Sequence, residues 1–232
     1  MYAAAAVGLT AGMVVVAVIP LPSGVRMAAF VAIALATFWL LVSLGVAHYV
    51  YDLAGIYRGD WLSAALPQAP RRYANLHAGL DEFSAILTER FPASEYRILD
   101  FFDARRMTEP SIARARKLAS GQPSAEPVDS RSLPMVDEEL EAAFLISAAH
   151  ELREPESRIQ LLRELRRSLQ ADGRIIVVEH LRDLPNFLAF GPGFFHFYSR
   201  AHWFRNFRAA GLTVAKEFSL TLFVRVFILE KT

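Results

Sequence analysis

The sequence predicts an α/β fold: an open, mostly parallel sheet with helices on both faces, preceded by two transmembrane helices. Three observations support this prediction. Residues 1–51 carry a single charged side chain, Arg26. Beyond residue 71, short apolar segments alternate with amphipathic ones, which is typical of parallel strands and the helices that cover them. Several apolar segments end in polar residues, and ligands of such sheets bind beyond the carboxyl ends of the strands.

Two apolar runs predict the transmembrane helices. Residues 3–19 form a run of 17 and residues 27–50 a run of 24, and a bilayer core is spanned by roughly 20 residues. Prolines and a glycine in residues 20–24 break the helix between the runs. Two alternatives are a secretory signal peptide, although no positive charge precedes the first run, and a buried hairpin of a soluble core, although one charge in this length is unusual there.

Basic residues predict the orientation of this hairpin. Arg58, Arg71 and Arg72 follow the second run, whereas Arg26 alone follows the first. Because positive charges concentrate on the cytoplasmic side, we expect the turn at residues 20–25 on the far side of the inner, cytoplasmic membrane and the remaining chain in the cytoplasm. The predicted regions are a two-helix transmembrane hairpin (1–51), a juxtamembrane linker (52–70) and an α/β domain (71–232).

Composition excludes several classes of protein. The chain has 25 basic and 24 acidic side chains among 232 residues. No nucleic-acid partner is therefore expected, because no excess of positive charge is present to neutralise phosphates. The chain contains no cysteine, which excludes disulfide scaffolds, cysteine-ligated metals and thiol nucleophiles.

The elements of the domain follow in order along the chain. A first strand begins near Tyr73, and the short apolar runs predict further strands at 97–102, 142–149 and 174–179. Helical spacing and capping residues predict helices at 110–119, 154–169 and 203–210. Residues 121–127 are predicted as a loop, and segments 212–218 and 221–229 as two strands that pair as a hairpin.

Polar residues follow the predicted strands at their carboxyl ends. In chain order these are His77 and Gly79, then Asp103, Asp129, the pair His150 and Glu151, and the pair Glu179 and His180. An acidic residue some two dozen positions after a glycine turn is the arrangement that binds a ribose, because a carboxylate accepts two hydrogen bonds from a vicinal diol. Asp103 stands 24 residues beyond Gly79, although this spacing alone is a weak signal.

Two stretches of the second half carry a combination of motifs. VDSRSLPMVDEELEAAFLISAAHEL (128–152) and LLRELRRSLQADGRIIVVEHL (161–181) contain an acidic residue, a Leu-Pro pair, a buried strand, a His-Glu-Leu turn, a helix, a glycine turn and an apolar strand. A late AAGLTVAKE (209–217) follows them. Together they resemble the class I S-adenosylmethionine-dependent methyltransferases, over about residues 71–229.

The resemblance implies a Rossmann-like sheet and S-adenosylmethionine as cofactor. It implies that Asp103 binds the ribose, that Asp129 meets the adenine amino group, and that His77 and Gly79 lie against the methionine moiety. The sequence departs from the family at NLHAGLDE (75–82), which has one glycine where the family has Asp/Glu-x-Gly-x-Gly. The alternative function is a non-catalytic membrane protein that retains this fold as an interaction module.

The candidate catalytic residues are His150 and Glu151, which follow a buried strand. Methyl transfer is an in-line displacement, and it needs a base only if the acceptor loses a proton. A hydrogen-bonded structural histidine is the alternative for His150. No metal site is expected, because His77, Glu151 and His180 lack ligand spacing. A hydrolase or dinucleotide-dependent dehydrogenase is disfavoured, because G-x-S-x-G and G-x-G-x-x-G are absent.

An aromatic segment, residues 187–198, follows the fifth strand and contains five phenylalanines and one tyrosine around Gly-Pro-Gly. Ordinary core packing is one interpretation. The functional interpretation is an apolar lid against the membrane, in which His180, Phe194, His196 and Tyr198 bind the acceptor. The expected acceptor is then a small or lipophilic molecule, such as a quinone or isoprenoid precursor or a lipid headgroup.

Overall fold

The computed structural model describes residues 2–118 and 125–232. The helices are α1 (Tyr2–Val18), α2 (Ser23–His48), α3 (Leu62–Ala65), α4 (Ser84–Arg90), α5 (Pro110–Leu118), α6 (Pro155–Ser168), α7 (Leu184–Phe190) and α8 (Arg200–Ala209). The strands are β1 (Arg72–His77), β2 (Glu95–Asp100), β3 (Glu126–Pro127), β4 (Leu140–Ile146), β5 (Leu169–His180), β6 (Leu212–Ser219) and β7 (Val224–Lys231). The predicted end of α5 at residue 119 and most of the predicted loop, residues 121–124, lie outside the described residues.

The seven strands form one sheet in the order β3-β2-β1-β4-β5-β7-β6. The strands β1 to β5 pair in parallel, and β7 runs antiparallel to both β5 and β6. This confirms the predicted open, mostly parallel sheet, and the predicted pairing of the last two strands. The strand order reverses between β1 and β4, and this reversal leaves a crevice at the carboxyl ends of those strands.

The structure corrects two strand ends near this crevice. β2 ends at Asp100 rather than residue 102, so Asp103 lies three residues beyond the strand. The cause is local: Asp100 Oδ1 accepts a hydrogen bond from the Phe102 backbone N–H at 3.0 Å, which turns the chain out of the sheet. β4 ends at Ile146 rather than residue 149, because Ser147 adopts a φ of 49° that is incompatible with a strand.

Two apolar cores cover the faces of the sheet. One contains residues of α5, α6 and α8, and the other contains residues of α3, α4 and the chain that follows α2. The predicted linker, residues 52–70, belongs to the second core, where Ile56, Trp61 and Leu62 are buried. The end of the N-terminal hairpin is therefore joined directly to the sheet and not through a free tether.

The N-terminal helices α1 and α2 pack against each other as a hairpin. The turn is shorter than predicted, because α2 already begins at Ser23, directly after Pro22 in an extended conformation. Among the described residues, one helical stretch, Ser23–Arg58, is long and apolar enough to cross a membrane by length and composition. A shorter apolar helix, Ala5–Val18, precedes it.

Candidate functional site

The carboxyl ends of β1 and β2 bring a histidine and a carboxylate together. His77 and Asp100 are register partners, and His77 Nδ1 lies 3.8 Å from Asp100 Oδ1. Burial lowers the pKa of His77, and the nearby Asp100 opposes this effect only in part. The imidazole is therefore neutral at neutral pH, and its Nδ1 accepts a hydrogen bond from the Gly79 backbone N–H at 3.2 Å.

The turn after β1 requires glycine at residue 79. Gly79 has a φ of 93°, which side chains disfavour. An added Cβ would also lie 2.7 Å from Cγ of Arg116 on α5. The Arg116 side chain continues from this contact to Asp100 Oδ2, at 2.8 Å, and its guanidinium stacks 4.1 Å over the Phe102 ring. Arg116 therefore covers both the glycine turn and the carboxylate that ends β2.

A cavity of about 140 Å³ lies behind this turn, lined in part by His77, Asp81, Ser147 and Glu151. Asp81 shapes it, because its Oδ1 accepts hydrogen bonds from the backbone N–H groups of Phe83 and Ser84 at 3.2 and 2.9 Å and so begins α4. Ligand pockets are typically about 300–1,000 Å³. A nucleoside-sized ligand must therefore extend beyond this cavity along the sheet edge.

The continuation of the edge is a second cavity of about 790 Å³, next to β2 and β3. Asp103 and Asp129 both line it, together with Arg131 and two further arginines. Hydrogen bonds from Arg131 lower the pKa of Asp129 to about 2. Asp103 accepts a hydrogen bond from the Arg105 backbone N–H at 2.9 Å. The sheet thus brings the two carboxylates predicted from sequence to one cavity, whose lining begins at Phe101, directly after Asp100.

The carboxyl ends of β4 and β5 bring His150 and Glu179 together. His150 Nδ1 lies 2.7 Å from Glu179 Oε2, and the His150 backbone N–H donates to Glu179 Oε1 at 3.2 Å. The Glu179 side chain is 1% exposed. Burial lowers the pKa of His150, but the charges and hydrogen bonds of Glu179 and Glu151 outweigh it and raise this pKa to about 10. The pair fixes the ring so that Nε2 is directed toward Glu151, at 3.4 Å.

Residues of the aromatic segment complete this histidine cluster. The His196 ring lies 5.1 Å from the His150 ring, and His196 Nδ1 lies 3.4 Å from Glu109 Oε2. Arg153 links these groups, since it donates to the His196 carbonyl at 2.8 Å and its Nε lies 3.4 Å from Glu109 Oε1. The cluster therefore contains two imidazoles, an arginine and carboxylates at the edge of the sheet.

Three of these residues are of types that bind metal ions. Ligand atoms of His150, Glu151 and His196 lie within 4.8 Å of one another. The sequence predicts no metal from the spacing of His77, Glu151 and His180. That prediction does not consider Glu151 together with His150 and His196. Their proximity comes instead from the aromatic segment, which folds back over the turn after β4.

The other predicted acceptor residues occupy different environments. His180 is buried between Asn186 Oδ1 at 3.1 Å and the Phe197 ring, stacked at 4.9 Å, so it holds the aromatic segment on the sheet. Tyr198 donates its hydroxyl hydrogen to the Arg153 carbonyl at 3.1 Å. Phe194 packs on the Phe187 ring at 5.0 Å and is half-buried.

Asp100, Arg116 and Arg153 were not among the site residues predicted from the sequence, and Glu179 was noted only as a strand end. The acidic interruption of the apolar run RILDFF was a signal for Asp100. Glu179 also had a signal in the sequence. It ends an apolar run that predicts a strand, and His150 follows the strand predicted just before it. Arg116 and Arg153 reach the site from a helix and a loop, and their sequence context contains no such signal.

Solved structures share this fold. The mitomycin 7-O-methyltransferase MmcR aligns with a TM-score of 0.54 and 15% identity, over 78% of this chain and 55% of its own. A SAM-dependent methyltransferase from Aquifex aeolicus gives 0.55 and 13%, over 79% and 95%. An O-methyltransferase family 2 protein from Planctomyces limnophilus, in complex with apigenin, gives 0.54 and 16%, over 84% and 62%.

These comparisons establish the fold of the chain. It is the α/β fold of SAM-dependent methyltransferases, and the chain spans little more than half the length of MmcR. No protein-family model matches the sequence, and no curated protein matches it.

Proposed function

We propose that this protein is a membrane-anchored S-adenosylmethionine-dependent methyltransferase that acts on a small or lipophilic acceptor. The observation that carries the proposal is the pair formed by His150 and Glu179, with 2.7 Å between Nδ1 and Oε2. The pair lies at the carboxyl edge of the sheet, next to the glycine turn after β1. A buried carboxylate that orients a histidine is the arrangement of a general base.

The residues along the sheet edge fit S-adenosylmethionine. The glycine turn at Gly79 permits close approach of a ligand to the backbone, and Asp100 is the carboxylate that ends β2. We therefore transfer the ribose role proposed for Asp103 to Asp100, and we place Asp103 and Asp129 around the adenine. Arg116 must release Asp100 for the ribose to bind, which breaks an ion pair in which the Arg116 side chain is 40% and the Asp100 side chain 17% exposed.

When bound, this cofactor supplies an electrophilic methyl group on a sulfonium. The chain supplies the proton acceptor. His150 in its neutral form, which a pKa of about 10 makes a minor form at neutral pH, takes the proton of an acceptor hydroxyl at Nε2, and Glu179 then stabilises the resulting imidazolium at Nδ1. Glu151 lies 3.4 Å from Nε2, so an acceptor oxygen must displace this carboxylate to reach the ring. The acceptor oxygen, freed of its proton, is the nucleophile of the in-line displacement.

Contacts between α2 and α7 determine which part of the domain the proposed membrane anchor brings to the bilayer. Trp39 Nε1–H donates to the Leu188 carbonyl at 3.1 Å, and Ser43 Oγ–H donates to the Ala189 carbonyl at 2.7 Å. Trp39 lies about 13 Å along the helix axis from His48, at about 1.5 Å per residue. If α2 spans the membrane with His48 at the interface, α7 dips below the headgroups. Leu184 and Leu188 are 67% and 57% exposed, as a membrane-embedded surface requires.

The test is methyl transfer in membranes that contain the full chain. S-adenosylmethionine with a radioactive methyl group is added, and the organic-soluble fraction is counted. We expect label there with the natural chain and a loss of at least about 100-fold with His150→Gln, the typical contribution of a general base. Label that is unchanged in His150→Gln contradicts the assignment of the base.

A second variant tests the aromatic segment. Phe194→Ser with Phe195→Ser removes apolar surface from the segment, and Phe195 is already 61% exposed. We expect impaired turnover of a lipid-soluble acceptor with unchanged cofactor binding. If this double variant unfolds instead, the aromatic segment is part of the apolar core. It then no longer supports the proposal that the acceptor is lipophilic.

A further inference from the structure

An open cavity of about 670 Å³ separates the N-terminal hairpin from the aromatic segment. Both hairpin helices contribute to its wall, and the principal lining residues are Gly8, Ala36, Trp39, Phe190, His196 and Phe197. Its volume lies within the range of about 300–1,000 Å³ that is typical of sites for small molecules. Its wall is apolar except for His196, Ser43 and the Trp39 ring nitrogen.

The cavity is a built feature of the fold. One wall is fixed by the Trp39 and Ser43 hydrogen bonds to α7, which join residues almost 150 positions apart in the chain. The aromatic segment also approaches α2 closely, because a Cβ added to Gly191 would lie 3.4 Å from the Trp39 ring. The hairpin and the aromatic segment are thus held against each other on one side of the cavity, which leaves space on the other.

The two ends of the cavity differ in chemistry. The end between α1 and α2 is lined by small and aliphatic residues such as Gly8 and Ala36. The other end reaches His196, whose ring lies 5.1 Å from that of His150. The cavity therefore reaches the histidine cluster at His196, and a molecule that fills it places one end beside this residue, whose ring lies 5.1 Å from that of the proposed base.

We propose that this cavity binds the apolar tail of the methyl acceptor, which enters from the membrane and presents a single hydroxyl head to His150. This inference rests on the proposed function, and it specifies the substrate class as an amphiphile with one acidic hydroxyl, such as an alkylated phenol. A phenol or enol fits the head position because its proton is transferable to an imidazole.

The structure offers a matched pair of variants for the test. A Cβ added to Gly8 or to Gly45 meets no atom within 4 Å, so both positions accept a larger side chain. Gly8 lines the cavity, whereas Gly45 lies on α2 outside it. Gly8→Leu therefore obstructs part of the cavity, and Gly45→Leu makes the same change in the same hairpin outside it.

The experiment is site-resolved photolabelling of the full chain in detergent, without S-adenosylmethionine. The probe is a 4-alkylphenol with a diazirine at the tail end, and labelled residues are identified by mass spectrometry. We expect labels on α1, α2 and the aromatic segment around the cavity. Labelling should fall at least about fivefold in Gly8→Leu, remain unchanged in Gly45→Leu, and be displaced by an unlabelled alkylphenol.

Two results would overturn the proposal. One is equal labelling of the cavity by an alkyl diazirine that lacks the phenol, which identifies a site for bilayer lipid chains. The other is labelling that is unchanged in Gly8→Leu. If Gly8→Leu fails to fold, Gly193→Leu provides the same obstruction, because its Cβ has 3.8 Å to the nearest atom, Phe190 Cβ. Because the cofactor is absent, failure here is distinguishable from failure of cofactor binding.

Discussion

At the scale of single residues, the pair His150 and Glu179 determines the expected pH dependence. A base acts in its neutral form, and the pKa of His150 is raised to about 10 by the neighbouring carboxylates. We therefore expect kcat/KM for methyl transfer to rise with pH well beyond 6.5, the ordinary pKa of histidine. If kcat/KM reaches its plateau by pH 7, the assignment of His150 as the base is contradicted.

Glu179→Gln is the matched variant for this pH profile. It keeps the shape of the side chain but removes the charge that raises the pKa of His150, while burial continues to lower it. The rising limb should move to lower pH by about 1–3 pH units, the usual effect of one close charge. If the rising limb of the pH profile does not move in Glu179→Gln, a group other than His150 controls it. The maximal rate should also fall, because the imidazolium loses its stabilising carboxylate.

Asp100 is the residue whose substitution should weaken cofactor binding. Hydrogen bonds to a charged group contribute about 1.5–3 kcal/mol, so Asp100→Asn should raise the dissociation constant of S-adenosylmethionine about 10- to 150-fold. Asp103→Asn is the comparison variant: Asp103 lies in the loop beyond β2, where we place the adenine rather than the ribose, so its effect should be smaller. If Asp103→Asn has the larger effect, the ribose role returns to Asp103.

The residue-scale predictions from sequence were limited by strand boundaries. Gly79, Asp129 and His150 lie at the sheet edge where the alternation of elements predicts them. Asp103 was placed at a strand end because Phe101 and Phe102 extend the apolar run, and apolarity alone does not reveal that the Asp100 side chain turns the backbone after residue 100. Arg116 reaches Asp100 only through the packing of α5, which is a property of the tertiary structure.

At the scale of elements, the contact between α2 and α7 should hold the aromatic segment in place. Ser43→Ala removes the hydrogen bond to the Ala189 carbonyl, and such a bond contributes about 0.5–1.5 kcal/mol. Amide hydrogen exchange of α7 should then accelerate about 2- to 10-fold while exchange in β4 and β5 stays constant. Thr37→Ala is a suitable control, because its hydroxyl bonds within α2, to the Ile33 carbonyl. Equal exchange in both variants would show that this bond does not secure α7.

The elements themselves were more predictable than their junctions. Continuous apolar runs identified β4 and the apolar part of β5, and the helical spacing of leucines identified α6. The short helices α3, α4 and α7 were missed, because seven residues or fewer contain too little periodicity. Residues 52–70 contain prolines and mixed polarity, which is typical of a linker. Their packing against one face of β1, β4 and β7 follows only from the assembled sheet, because that apolar face must be shielded from water.

At the scale of the whole molecule, hydrogen bonds between α2 and α7 connect the hairpin, which we propose as the membrane anchor, to the domain that carries the proposed base. If the hairpin spans the membrane as we propose, the positive-inside rule predicts that the C-terminus lies in the cytoplasm. A reporter fused after Thr232 that is active only in the cytoplasm should therefore be active, and one that requires export should be silent. The reverse pattern would contradict the two-span topology and separate the domain from cytoplasmic S-adenosylmethionine.

The central claim is that this fold binds S-adenosylmethionine despite its single-glycine turn. Isothermal calorimetry on the full chain in detergent measures this directly, with Asp100→Asn as the matched variant. We predict saturable binding at a single site, weakened at least about tenfold in Asp100→Asn. Absence of binding at millimolar cofactor to the folded natural chain would contradict the account and favour an interaction module that retains only the fold.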